Sequence, residues 1–217
     1  MKIDPIAYAG AVVREVAFRE RDGRPTRAVI ATRSYDTDIA DLWDALTNPE
    51  RIPRWFLPIS GDLKLGGRYQ FQGQAGGEII ACEPPRQLAV TWEAMGSVSW
   101  LTVMLADDHS GGSRLELEHL SVVEGDFWDR YGPGAVGVGW DLALMGLALH
   151  LASGKQFDRD AAAAWPASDD GKDFIRRISA DWCRASIAAG TAEAAARRAA
   201  ANTTAFYCGE LEPGGGG

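Results

Sequence analysis

The 217-residue chain is 46% apolar and 24% charged, with a formal net charge of −8, which suits one substantial core plus an appendage. The acid excess speaks against duplex nucleic acid and anionic membranes as partners, and the densest basic cluster, Arg176–Arg177 with Arg184, lies among acids like a solvated helix face. The start MKIDPIAYAG has no basic stretch leading into an apolar run, and the richest apolar segment, 135–151, is broken by Asp141 and glycines, so a cytoplasmic protein is expected.

In chain order, residues 11–21 and 27–35 read as two strands joined at Asp22-Gly23-Arg24-Pro25, since Asp-Gly is a hairpin signal. Asp36 or Thr37 then caps a short helix in which Ile39, Leu42, Trp43 and Leu46 recur at helical spacing. Asn48-Pro49 opens a second brief helix that ends near Trp55-Phe56. Beyond it the pattern alternates. Tyr69 and Phe71 share one face, as do Leu88, Val90 and Trp92, and again Leu115, Leu117 and His119. Trp100–Ala106 is apolar on both faces and has no orientation in the sequence. Gly66-Gly67, Gly76-Gly77, Pro84-Pro85 and Asp107–Gly112 read as turns.

Residues 135–151 form the long helix that covers a five- or six-stranded sheet, at roughly 25 Å for ~1.5 Å per residue. Val136, Trp140, Leu144, Leu147 and Leu151 make one apolar arc, and Val138, Leu142, Met145 and Leu149 a second. One arc faces the sheet; the other needs the C-terminal extension or another subunit. In that extension, 155–168 reads as irregular. Asp169–Ala189 reads as a helix with Phe174, Ile178, Trp182 and Ile187 on one face; Gly190 stops it, and Thr191 caps a last helix. This divides the chain into a domain at 1–154 that includes the hairpin, a helical extension at 155–210 packing on that domain or on a partner subunit, and a flexible glycine tail at 211–217.

The order of these motifs resembles one family. RSYDTDIADLWDALTNPERIPRWF, LKLGGRYQF, GGEIIACEPPRQLAVTW, GSRLELEH and VGVGWDLAL follow the pattern of bacterial relatives of the activator of heat-shock-protein-90 ATPase, with Arg33, Tyr35, Trp43, Thr47, Pro49 and Trp55 at its recurrent positions. The resemblance spans roughly 28–151. It implies an α+β helix-grip fold (START-like, of the SRPBCC or polyketide-cyclase superfamily): a curved antiparallel sheet around a long C-terminal-side helix, here with an additional helical extension. It also implies an apolar cavity between sheet and helix, and relatives that variously bind lipids, hormones or polyketides, act on them, or assist a chaperone.

The expected cavity lining is Trp55, Phe56, Tyr69, Phe71, Trp92, His119, Trp140 and Leu144. His119 faces the apolar side with Leu115 and Leu117, where it either moves a proton or is a core histidine satisfied internally. His150 reads as an interface residue and His109 as a solvated turn residue. Arg33 needs a carboxylate if buried, and Glu78 or Glu93 are the available partners. Gly132–Gly137 spells GxGxxG, but no hydrophobic strand precedes it and Pro133 removes an amide, so nucleotide binding is set aside. Cys82, Cys183 and Cys208 form no CxxC or Cys/His set; neither a metal nor any other cofactor is expected. Asn202-Thr203-Thr204 has no meaning as a glycosylation site without export. Three functions remain open: binding of a small hydrophobic or aromatic ligand, partnership with a chaperone, and cyclase- or dehydratase-like catalysis through His119 or a nearby acid. A homodimer is compatible with each.

Overall fold

A computed structural model describes residues 4–108, 110–123, 126–156 and 158–210. His109 and the tail 211–217 lie outside them. Asp4 caps a short helix α1 (Pro5–Gly10), accepting from the Ile6 and Ala7 amides. A hairpin follows, β1 (Val13–Arg21) and β2 (Arg24–Tyr35). Its turn is only Asp22-Gly23, both at positive φ (54° and 74°), the arrangement that matches strand twist. Pro25 therefore lies inside β2, opposite Glu20, and not in the turn.

Helix α2 (Ile39–Thr47) is capped by Asp38, whose carboxylate accepts from the Asp41 amide. The second helix expected after Asn48-Pro49 shrinks to a 3-10 turn, Ile52–Arg54. Pro53 inside it and Pro58 after it break any longer helix by removing donors. Six more strands follow: β3 (Ile59–Gly61), β4 (Arg68–Phe71), β5 (Gly76–Glu83), β6 (Gln87–Ala94), β7 (Ser97–Asp107) and β8 (Ser113–Val122). Gly76-Gly77 is not a turn but the start of β5. A Cβ on Gly77 would lie 2.0 Å from the Thr91 carbonyl oxygen, so glycine there marks a close approach of two strands. All eight strands form one antiparallel sheet in the order β1-β2-β8-β7-β6-β5-β4-β3, wider than the sequence suggests. Register orients β7: Leu101 pairs with His119 and Val103 with Leu117 on the inner face, while Trp100 turns outward onto Ala28, Ile30 and Leu120.

A short helix α3 (Phe127–Tyr131) leads into the long helix α4 (Gly134–Ser153). Among the described residues α4 is the one helix long and apolar enough to cross a membrane by composition; it packs against the sheet at β2 and against α6. The extension is helical where irregular chain was expected. Asp158 caps α5 (Arg159–Ala164) through the Ala161 amide, and Ser168 caps α6 (Asp169–Ala188) through that of Gly171. Helix α7 (Glu193–Tyr207) is the last element among the described residues and packs on α3 and α6. One cluster of buried side chains runs from Ala31 and Tyr35 on β2 through Leu115 and Leu117 to Val138, Leu144 and Leu147 on α4, then to Phe174, Ile178 and Trp182 on α6.

Two features fix how α4 sits. Its small residues let α6 come close: a Cβ on Gly137 would fall 2.2 Å from the Trp182 ring. Its one acid, Asp141, is buried, and Arg14 on β1 meets it bidentately, Nη2–Oδ1 at 2.6 Å and Nε–Oδ2 at 3.0 Å. The Trp182 indole N–H adds a third donor at 2.7 Å. Burial raises the Asp141 carboxyl against the lowering pull of Arg14 and Trp182. Arg14 also donates to Asp181 on α6 and to the Val12 and Ala9 carbonyls, so this guanidinium joins hairpin, α4 and α6.

Gly137→Ala is predicted to cost about 1–3 kcal/mol through overpacking against Trp182, despite alanine's better helix propensity, whereas Gly10→Ala, with open space around it, stays near neutral; urea denaturation measures both. Removing one partner of the buried pair, by Arg14→Met or Asp141→Leu, is predicted to cost about 3–5 kcal/mol, and the double variant recovers most of the loss. Additive losses in the double variant would contradict the coupling.

Candidate functional site

Where the sheet curves away from α4, an apolar cavity of about 140 Å³ remains. Seven of the eight expected residues line it: Trp55, Phe56, Tyr69, Phe71, Trp92, Trp140 and Leu144. Strand alternation puts Tyr69, Phe71 and Trp92 on the inner face of β4 and β6, and helical spacing puts Trp140 and Leu144 on the face of α4 that looks back at them. The rings form a continuous edge-contact chain. Phe56 meets Phe71 at 5.0 Å between centroids, Phe71 meets Trp92 at 5.9 Å, and Trp92 meets Trp140 at 5.1 Å. Such tilted and T-shaped contacts favour fixed ring positions.

The sequence reading missed much of the aliphatic wall, including Ile52, Leu63, Ile79, Cys82, Leu101 and Ala143. Leu101 was hidden because β7 is apolar on both faces. Ala143 was findable: it lies three residues after Trp140, on the same helix face.

Several polar groups on the wall are already engaged within the protein. The Trp55 indole N–H donates to the Ala45 carbonyl at 2.9 Å, and the Thr47 hydroxyl to that of Trp43 at 2.8 Å. The Tyr69 hydroxyl donates to the Thr91 carbonyl at 2.7 Å, and burial pushes that hydroxyl's pKa up. Lys64, at the rim, pairs with Asp62 at 2.8 Å. What faces the space is chiefly carbon, the pattern expected of a site for an apolar guest.

His119 is the expected residue that does not line the cavity. It sits behind the two indoles, 5% exposed, and its ring accepts and donates in a chain. Trp140 Nε1–H donates to Nδ1 at 3.0 Å, so Nδ1 carries no proton and Nε2–H donates to Ser99 Oγ at 2.8 Å. The Ser99 hydroxyl in turn donates to the Trp92 carbonyl at 3.1 Å. His119 thus ties Trp140 to the strand bearing Trp92 and has no free nitrogen for a substrate.

Arg33 is buried, yet neither Glu78 nor Glu93 pairs with it. Glu93 takes Arg68 at 2.6 Å. β6 lies three strands from β2 in the sheet order, about 14 Å away at ~4.8 Å per strand, too far for Arg33 to reach. The guanidinium lies instead against the Tyr8 and Tyr35 rings, 5.1 and 5.3 Å from their centroids. His150 is also buried; Arg51 donates to its Nε2 at 3.2 Å.

Burial depresses the His119 imidazole to about 4. An unfolded histidine takes up its proton near ~6.5, so the stability His119 confers is complete above that pH and is lost as pH falls toward 4. Between pH 7 and pH 5 the protein is predicted to lose about 2 kcal/mol through this residue, a loss absent from His119→Asn. Urea denaturation of both proteins at the two pH values checks this; equal losses would contradict it.

Comparison with known proteins agrees with this architecture. Residues 36–152 match the family described as Activator of Hsp90 ATPase homolog 1-like protein. Among solved structures, CalU16 from Micromonospora echinospora is similar in its crystal form at 31% identity and TM-score 0.65, covering 81% of this chain and 98% of its own. Its solution structure gives 30% identity and TM-score 0.69, covering 83% and 97%. Both extend well beyond residues 36–152, so part of the flanking hairpin or helices is matched too. MLL2253 from Mesorhizobium loti, at 24% identity and TM-score 0.52, covers 60% of this chain and all of its own, and shares the fold. No curated protein matches. On the strength of residues 36–152 and of CalU16, the chain belongs to the Activator of Hsp90 ATPase homolog 1-like family.

Proposed function

We propose that this chain binds a small apolar molecule bearing aromatic rings, held between the sheet and α4. The observation that carries the reading is the cavity itself: about 140 Å³ of space walled by rings and aliphatic carbon. A dry apolar cavity of ~150 Å³ takes up benzene, so one aromatic ring fits without rearrangement. The edge-to-face arrangement of Trp92 and Trp140 offers a ring face and a ring edge to a planar guest.

The catalytic alternative through His119 loses its support, because that imidazole is neutral near pH 7, has both nitrogens engaged and lies behind the wall. Partnership with a chaperone has its warrant in the family description alone. We place the protein in the cytoplasm, as its free thiols Cys82, Cys183 and Cys208 suit a reducing compartment.

Toluene, naphthalene and a flavone are predicted to raise the melting temperature and to bind saturably by calorimetry. Ala143→Phe, which fills the space from α4, is predicted to weaken that binding by about 10-fold or more, or about 1.4 kcal/mol, without lowering the melting temperature. Flat responses to all three compounds in the wild-type protein would overturn the reading.

A further inference from the structure

The two strands that end the sheet differ in length: β3 has 3 residues, whereas β1 has 9. A short edge limits pairing with other chains, and a long one offers a row of unpaired amides and carbonyls. Among the described residues no backbone hydrogen bond reaches the outer side of β1.

The hairpin register shows which groups lie on that side. The two-residue turn bonds Arg21 to Arg24, and bonding to β2 alternates from that pair. Val13, Glu15, Ala17 and Arg19 therefore bond to β2, while Arg14, Val16, Phe18 and Glu20 turn amide and carbonyl outward. In keeping with this, the Phe18 carbonyl is reached by the Arg19 guanidinium, at 3.3 Å. Phe18 itself is 56% exposed.

This strand is complementary to a second copy of itself running antiparallel about a two-fold axis at Ala17. Val16 then meets the partner's Phe18, and Arg14 meets the partner's Glu20, so every outward residue faces an outward residue and the ladder is continuous. On the outer face of the sheet Glu15 stands opposite the partner's Arg19, twice by symmetry. Other axes do worse. One at Glu15 or at Arg19 sets like charges together, one at Val16 leaves Glu15 facing alanine, and one at Phe18 sets Val16 against Glu20. The Arg14 side chain is committed to Asp141 and Asp181, so the charge pairing rests on Glu15 and Arg19. The ion pair Arg19 makes within its own chain, with Glu118 at 3.7 Å, is exposed and of small worth.

We propose that two copies of the chain pair through β1, in that register, and join their sheets into one. The two-fold arrangement uses the long edge of each copy, so the assembly closes at a dimer. The cavity is walled by β4, β5 and β6 toward the other end of the sheet, and the interface holds whatever the cavity takes.

Gel filtration with light scattering over a concentration series is expected to give twice the chain mass. Phe18→Pro removes an outward amide and no bond to β2, and is expected to give the monomer. Glu15→Arg and Arg19→Glu each set like charges opposite one another at both symmetric places, and each is expected to weaken association by about 10-fold. The double variant Glu15→Arg with Arg19→Glu is expected to restore it. Under oxidation Ala17→Cys is expected to form a disulfide between the two copies at position 17, identified by peptide mass spectrometry, whereas Glu15→Cys forms none with itself. A wild-type protein that is monomeric throughout overturns the proposal. So does a dimer unaffected by Phe18→Pro and by both single charge changes, or a double variant no better than either single one. No guest is used, so the outcome is separate from the calorimetric test of binding.

Discussion

The structure depends on α4 being apolar on two opposite sides, with Asp141 and His150 as its buried polar residues. A helix of that kind has no stable place at a surface, so it must be covered from two sides. The inner face of the eight-stranded sheet covers one side and α6 the other. Asp141, the lone acid of that helix, sets its rotation. A buried carboxylate is tolerated only where donors meet it, and Arg14 and Trp182 converge at one place. With Asp141 turned toward the hairpin and α6, Trp140 and Leu144 face the sheet.

The cavity follows from that rotation. Near β2 and β8 the aliphatic side chains of sheet and helix mesh into one cluster. Toward β4, β5 and β6 the wall is ring-rich, and the rings hold one another at centroid distances between 5 and 6 Å. Rings braced edge to face do not collapse into a neighbouring void as a flexible chain would. His119 strengthens the brace from behind by fixing Trp140 through its indole N–H. Its polarity serves to orient a wall that is itself apolar.

Much of this was legible in the sequence because it rests on local periodicity. Period-two alternation placed Tyr69, Phe71 and Trp92 on the inner face, and helical spacing placed Trp140 and Leu144 opposite them. Three kinds of feature were not legible. Short capped elements such as α1 and α5 depend on single side-chain contacts, Asp4 and Asp158, and their apolar patterns are too brief to read. The Gly76-Gly77 pair serves the close approach of two strands in space, which sequence alone cannot distinguish from a turn. Long-range partners were the least accessible: Glu78 or Glu93 was offered to Arg33 by chemical plausibility, whereas the sheet order sets both on strands distant from β2 and leaves Arg33 to two tyrosine rings.

The central claim is that open space persists between the rings and the long helix. The most direct measurement is a crystal structure of the protein under xenon pressure, because xenon enters dry apolar cavities and scatters strongly. The account predicts xenon density enclosed by Trp92, Trp140, Phe71 and Leu144. Side chains packed together across that position, with no xenon between them, would contradict it.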